Sequence, residues 1–100
     1  MDYIEWNYIQ AKEQAEKLVE QAGRLEKLSS EQLNATFYNL SVNWEGRSAE
    51  DFLKKGDALA DKISQLEKEL RKIAAVIRSC AERTYQAELK ARELAKTRTY

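Results

Sequence analysis

The sequence predicts an all-α protein, an antiparallel two-helix hairpin that dimerises into a four-helix bundle. Three observations predict the helices: the chain has no proline and only three glycines in 100 residues, 34% of its residues are charged, and apolar residues recur three and four positions apart in both halves. Proline and glycine would be frequent in the turns of a sheet protein. A chain of this length has room for one domain, residues 1–100.

The first predicted helix spans about residues 3–43 and carries an apolar stripe along one side. Steps of four and three residues alternate from Ile4 onward, which places the stripe on one helix face. Its large members, expected in the core or at a dimer contact, are Leu18, Leu25, Leu33, Phe37 and Leu40.

The stripe slips by one residue near Ser29 and Ser30. Ser29 and Gln32 have the spacing of a capping box, so a kink or short break near Ser30 is one interpretation. A continuous helix whose 3.6-residue period absorbs the drift is the other.

The second predicted helix spans about residues 48–96 and keeps the four-three alternation throughout. A flanking line that includes Ala60 and Ala74, partly interrupted by Glu67, widens its apolar face. Such widening is typical of a helix with more than one neighbour. The stripe positions expected in the core or at a dimer contact are Phe52, Leu59, Ile63, Leu66, Leu70, Ile73 and Ile77.

A turn is predicted at residues 44–47, between the two stripes. Gly46 can adopt the left-handed conformation that ends a helix. Ser48 can then cap the second helix, with Asp51 reaching back to complete a capping box. A connection this short makes the helices antiparallel. Residues 1–46 have a net charge of −4 and residues 47–100 of +4, so the two halves attract each other.

Composition argues against several classes of function. The chain has no histidine and one cysteine, Cys80, and lacks a glycine-rich phosphate loop, so we expect no enzyme, metal site or cofactor. Cys80 falls on the apolar stripe and is expected to be a buried, inert thiol. The net charge of zero gives no strong attraction to nucleic acid. The sequence has no apolar run long enough to span a membrane, so no stable membrane insertion is expected.

The tripeptide Trp44-Glu45-Gly46, at the bend between two heptad stripes, resembles the motif of the WXG family of small type VII secretion proteins, and the resemblance covers the whole chain. It implies a homodimer, or a pair with a homologous helical partner or toxin amino-terminal domain, usually as a four-helix bundle. It also implies export of the folded protein from mycobacteria or Gram-positive bacteria by a membrane ATPase translocase. Because the amino terminus lacks the basic and apolar regions of a signal peptide, we expect secretion without a cleavable signal.

One departure from the family leaves two functions open. The family's export signal is a tyrosine followed four residues later by an acidic residue, but Leu89 stands four residues after Tyr85, and Glu88 is one position too early. Tyr85 and Glu88 are therefore a candidate variant secretion signal of an exported substrate or effector. Alternatively, the protein is an adaptor that pairs with the helical amino-terminal domain of a larger LXG-type toxin, and the partner supplies the signal.

Overall fold

A computed structural model describes residues 2–98, which are helical apart from their ends and one short turn. Helix α1 is Tyr3–Lys27, a π-helical segment follows at Leu28–Leu33, α2 is Asn34–Asn43, and α3 is Arg47–Thr97. No strand occurs among these residues. The prediction of an all-α protein is confirmed.

The π-helical segment explains the one-residue slip in the first apolar stripe. The backbone stays helical from Lys27 through Asn34, so the helix is continuous and, of the two interpretations, a short break near Ser30 is wrong. A π-helical turn contains more residues than an α-helical turn, and it therefore takes up the extra residue without interrupting the helix. The capping box does not form, because Ser29 Oγ instead donates a hydrogen bond to the carbonyl oxygen of Ala60, 3.0 Å away in α3.

The two halves of the chain lie side by side and run in opposite directions. Four contacts join the two halves, and the contacting residues are closer in sequence the nearer they lie to the turn. These contacts are Asp2 with Arg92, Tyr8 with Tyr85, Ser29 with Ala60, and Phe37 with Phe52. This arrangement fits a helical hairpin. The body measures 84 × 19 × 11 Å and has a radius of gyration of 22.8 Å.

The seam between the halves is built mainly from small residues. Its most buried positions are Ala15, Ala22, Ser29, Ala49, Gly56, Glu67 and Ala74. No large side chain in the described part of the chain is fully buried. Small residues let two helices approach closely, and at Gly56 an added Cβ would lie 2.5–2.9 Å from atoms of the Phe37 ring. The core of the single chain is therefore thin.

The turn differs in detail from its prediction. Helix α2 ends at Asn43, and the backbone of the next residue, Trp44, is extended (φ −133°, ψ 118°). Gly46 has the expected positive φ of 112°, but its ψ is 176° and it is the residue that precedes α3, so it does not end α2 in a left-handed helical conformation. The predicted cap by Ser48 and Asp51 is wrong: no side chain caps α3. Because α3 already begins at Arg47, Ser48 lies within its first turn and cannot occupy the cap position.

None of the helices in residues 2–98 combines the length and the apolar character that crossing a membrane requires.

Candidate partner-binding surface

A line of exposed apolar side chains runs along almost the whole length of α3. Its members recur every seven residues, and we call them the heptad line: Phe52, Leu59, Leu66, Ile73, Cys80, Ala87 and Leu94. The five large ones expose between 45% and 52% of their surface. At 1.5 Å per residue the line is about 63 Å long. An apolar strip of this length is unusual on an isolated protein, which makes it the candidate interaction surface.

The heptad line is exposed because the first half of the chain covers only one side of α3. Residues spaced by seven keep nearly the same angular position on a helix, and successive residues differ by about 100°. The heptad line therefore lies about 50° round the helix from Ile63, Leu70 and Ile77, which are half-buried beside the seam. Part of the apolar face of α3 packs within the chain, and the rest remains in solvent.

Helix α1 contributes a second apolar border to the same face. Leu18 and Leu25 are half-buried in α1. Toward the amino terminus, Ile4 and Ala11 form one wall of a groove of about 380 Å³, and Ile77 and Cys80 belong to its opposite wall. The groove thus joins the α1 border to the heptad line. Together they form one apolar surface that spans both halves of the chain.

The predicted stripe residues separate into two groups. The residues that are half-buried within the chain are Leu18, Leu25, Leu33, Phe37, Leu40, Ile63, Leu70 and Ile77. Phe52, Leu59, Leu66 and Ile73 are exposed. The flanking line that includes Ala60 and Ala74, rather than the exposed part of the stripe, faces the first half of the chain. Small side chains allow that contact, whereas the bulkier heptad line is displaced to the side.

The expectation that Cys80 is buried is wrong. Cys80 belongs to the heptad line and is a free, exposed cysteine. The guanidinium of Arg83 lies 3.6 Å from its sulfur. The residue was placed correctly on the apolar stripe, but the stripe itself is exposed at this position.

Comparison of the chain with protein-family models, with curated proteins and with solved structures gave no match. Function therefore has to be inferred from the surface itself and from the sequence resemblance.

Aromatic residues pack at both ends of the body. Near the turn, Trp44 contacts Phe52, with 5.7 Å between ring centroids, and Phe52 contacts Phe37 edge to face at 6.4 Å. At the open end, Tyr8 stacks on Tyr85 at 4.5 Å. Trp44 and Phe52 both remain more than 40% exposed, so the turn end of the surface is also available for contact.

Tyr85 and Glu88, the candidate variant secretion signal, lie within α3 and are both half-buried. The ring of Tyr85 packs against Tyr8, whose hydroxyl donates a hydrogen bond of 2.5 Å to Glu82. This bond raises the pKa of Tyr8 above its ordinary value and lowers that of Glu82. The aromatic ring of the candidate signal is thus held by contacts within the chain.

Ion pairs border the other side of the seam. The buried carboxylate of Glu67 pairs with Arg71, which also contacts Glu26 across the seam at 3.0 Å. These charged bonds explain how a glutamate can lie in the seam. Asp2 pairs with Arg92 at 2.9 Å, and the bond from Arg92 lowers the pKa of Asp2 to about 2. In residues 2–98 no group of acidic, cysteine or histidine side chains could hold a metal ion.

Proposed function

We propose that this chain is a small WXG-type protein of a type VII secretion system that acts through helical dimerisation. In this proposal the heptad line binds a second helical chain, and the pair forms a four-helix bundle. The observation that carries the proposal is the exposed apolar line on α3. The assignment to type VII secretion rests on the resemblance of Trp44-Glu45-Gly46 to the family motif, which lies at the turn between α2 and α3.

The amount of apolar surface left in solvent supports pairing. Complete burial of a large apolar side chain contributes about 1.5–3 kcal/mol. Five such side chains on the heptad line are about half exposed, so covering them contributes roughly 4–7 kcal/mol from each chain. Two chains that pack through their heptad lines bury apolar side chains that neither chain can bury alone, which is the usual arrangement in a four-helix bundle.

The exported substrate or effector is the first of two roles within this proposal. Such a protein pairs in the cytoplasm, engages the translocase ATPase and leaves the cell folded, without a cleavable signal peptide. The adaptor role is the second, and the packing of Tyr85 favours it. Because the Tyr85 ring is held against Tyr8, a partner that carries its own signal, such as the helical amino-terminal domain of an LXG-type toxin, would complete the export unit.

The pairing is tested by introducing a charge into the heptad line. We expect the wild-type protein at tens of micromolar in 1 M NaCl to sediment as a dimer, because high salt screens charges and leaves apolar burial as the main force. Leu66→Glu should sediment as a monomer, since it places a carboxylate inside the contact. Gln65→Glu is the matched control: it adds the same charge at the neighbouring exposed position, about 100° round the helix.

Circular dichroism should show that both variants remain helical, because neither position lies in the seam. A fully helical wild-type monomer under these conditions would contradict pairing through the heptad line. Export is tested separately, by expressing the protein in a bacterium with a type VII system and in the same strain without the translocase ATPase. Equal amounts in both culture media would refute the secretion assignment.

A further inference from the structure

We infer that the partner of this surface is a different helical chain whose apolar stripe is bordered by acidic residues, rather than a second copy of this protein. The inference rests on the proposed pairing through the heptad line and names the chemistry of the partner.

A row of cations follows the outer border of the heptad line. The four positions Lys55, Lys62, Arg83 and Lys90 each lie three residues after a member of the line, and we call them the basic edge. They lie about 50° further from the seam than the line itself. All four are exposed. A chain that covers the heptad line must therefore place its own border against the basic edge.

The charges of the basic edge are not balanced within the chain. Among residues 2–98 none of its four cations forms an ion pair. One acidic residue, Glu69, occupies the same angular position, and it lies 3.8 Å from Lys72. Val76, which lies three residues after Ile73 and so has the same angular position, is apolar and 60% exposed. The basic edge is therefore an exposed band of positive charge beside an apolar contact surface.

A second copy in which α3 packs antiparallel against α3 would bring the basic edge against itself. In an antiparallel pair centred near Ile73, Lys62 of one copy would lie near Arg83 of the other, and Lys55 near Lys90. Like charges at such bordering positions oppose pairing.

A second copy in which α3 packs against α1 supplies no acidic complement either. The positions that border the Ile4, Ala11 and Leu18 side of α1 are Asn7, Gln14 and Gln21, which are uncharged. Glu13 and Glu20 lie roughly 150° round the helix from that side. The carboxylates of α1 therefore face away from the surface that a partner would cover.

These charges specify a partner with the same kind of apolar stripe and with glutamate or aspartate along its border. Border charges of this kind determine which helices pair, because the correct pair gains attraction and the wrong pair suffers repulsion. Burial of the heptad line stabilises any such pair, and the basic edge determines which of the chains with a matching apolar stripe binds most tightly.

The selection is tested with a copy of this protein whose basic edge is reversed by Lys55→Glu, Lys62→Glu, Arg83→Glu and Lys90→Glu. We expect an equimolar mixture with wild type, analysed by native mass spectrometry at low salt, to contain mainly the mixed pair. The ratio of mixed pairs to like pairs should be about tenfold above the ratio of one to one that random pairing gives. Added salt should weaken the mixed pair and strengthen the wild-type homodimer, since screening removes attraction in one and repulsion in the other.

A second reversed copy controls for net charge. It carries Lys54→Glu, Lys68→Glu, Arg78→Glu and Lys96→Glu, which change the same number of exposed cations away from the heptad line. We expect this copy to show no comparable preference for wild type. If the variant with four substitutions does not fold, the double variant with Lys62→Glu and Arg83→Glu should show the same preference for wild type to a smaller degree.

Random proportions in the mixture, or equal preference for the two reversed copies, would overturn selection by the basic edge while leaving pairing intact. Absence of any association, in the mixture and in 1 M NaCl alike, would instead refute pairing through the heptad line.

Discussion

The tightest contact in the seam, between Gly56 and the Phe37 ring, gives a sharp test of the packing. Alanine at position 56 would place its Cβ 2.5, 2.7 and 2.9 Å from three atoms of that ring. The ring cannot move away freely, because it also packs edge to face against Phe52. Overpacking of this kind destabilises a protein by about 1–3 kcal/mol. The gain in helix propensity from glycine to alanine, about 1 kcal/mol, offsets part of that loss.

We therefore expect Gly56→Ala to lower the free energy of unfolding by about 0–2 kcal/mol. Gly23→Ala is the matched control, since Gly23 also lies inside a helix but has no neighbouring atom within 4 Å of an added Cβ. It should raise the free energy of unfolding by about 0.5–1 kcal/mol. Urea denaturation followed by circular dichroism, at one protein concentration throughout, measures both values. Equal stabilisation by the two substitutions would refute the close approach of α3 to Phe37.

Two further changes test contacts between the halves. In the folded protein the pKa of Asp2 is about 2, below its ordinary value of 3.8. The ion pair with Arg92 therefore stabilises the fold above pH 4, and this contribution is lost as the pH falls toward 2. Asp2→Asn, which can still cap α1, should lose less stability than the wild type across that pH range, as measured by urea titrations. Ser29→Ala removes the hydrogen bond to Ala60 and should lower the free energy of unfolding by about 1 kcal/mol. Ser30→Ala, which removes only a bond to its own helix, should be nearly neutral by the same measurement. Equal losses of stability in the two variants would argue against the bond across the seam.

The helices and the position of the turn could be predicted from the sequence because local signals determine them. A chain without proline and with steady three-four spacing has few alternatives to long helices. The slip near Ser30 was also visible, but a kink, a drift and a π-helical segment all accommodate one additional residue. The choice among them depends on a contact with α3, the bond from Ser29 to Ala60, which local sequence does not encode.

The candidate surface could be predicted only in part, for a geometric reason. Helix α3 carries apolar residues on neighbouring lines, and periodicity does not reveal which of them the first half of the chain covers. Large side chains such as Leu66 suggested the core, yet the closer approach offered by Gly56 and Ala74 placed the seam elsewhere. Glu67 looked like an interruption of the apolar face, but its pairing with Arg71 allows it to be buried.

The slender body has a consequence for how its mass is measured. A compact globular chain of 100 residues has a radius of gyration of about 13 Å, whereas this one reaches 22.8 Å. A rod of this kind diffuses slowly for its weight and elutes early from a sizing column calibrated with spherical standards. A single chain of 11.6 kDa would then pass for a pair. Counting subunits consequently requires a method that is independent of shape, such as sedimentation equilibrium or the mass of the intact ion.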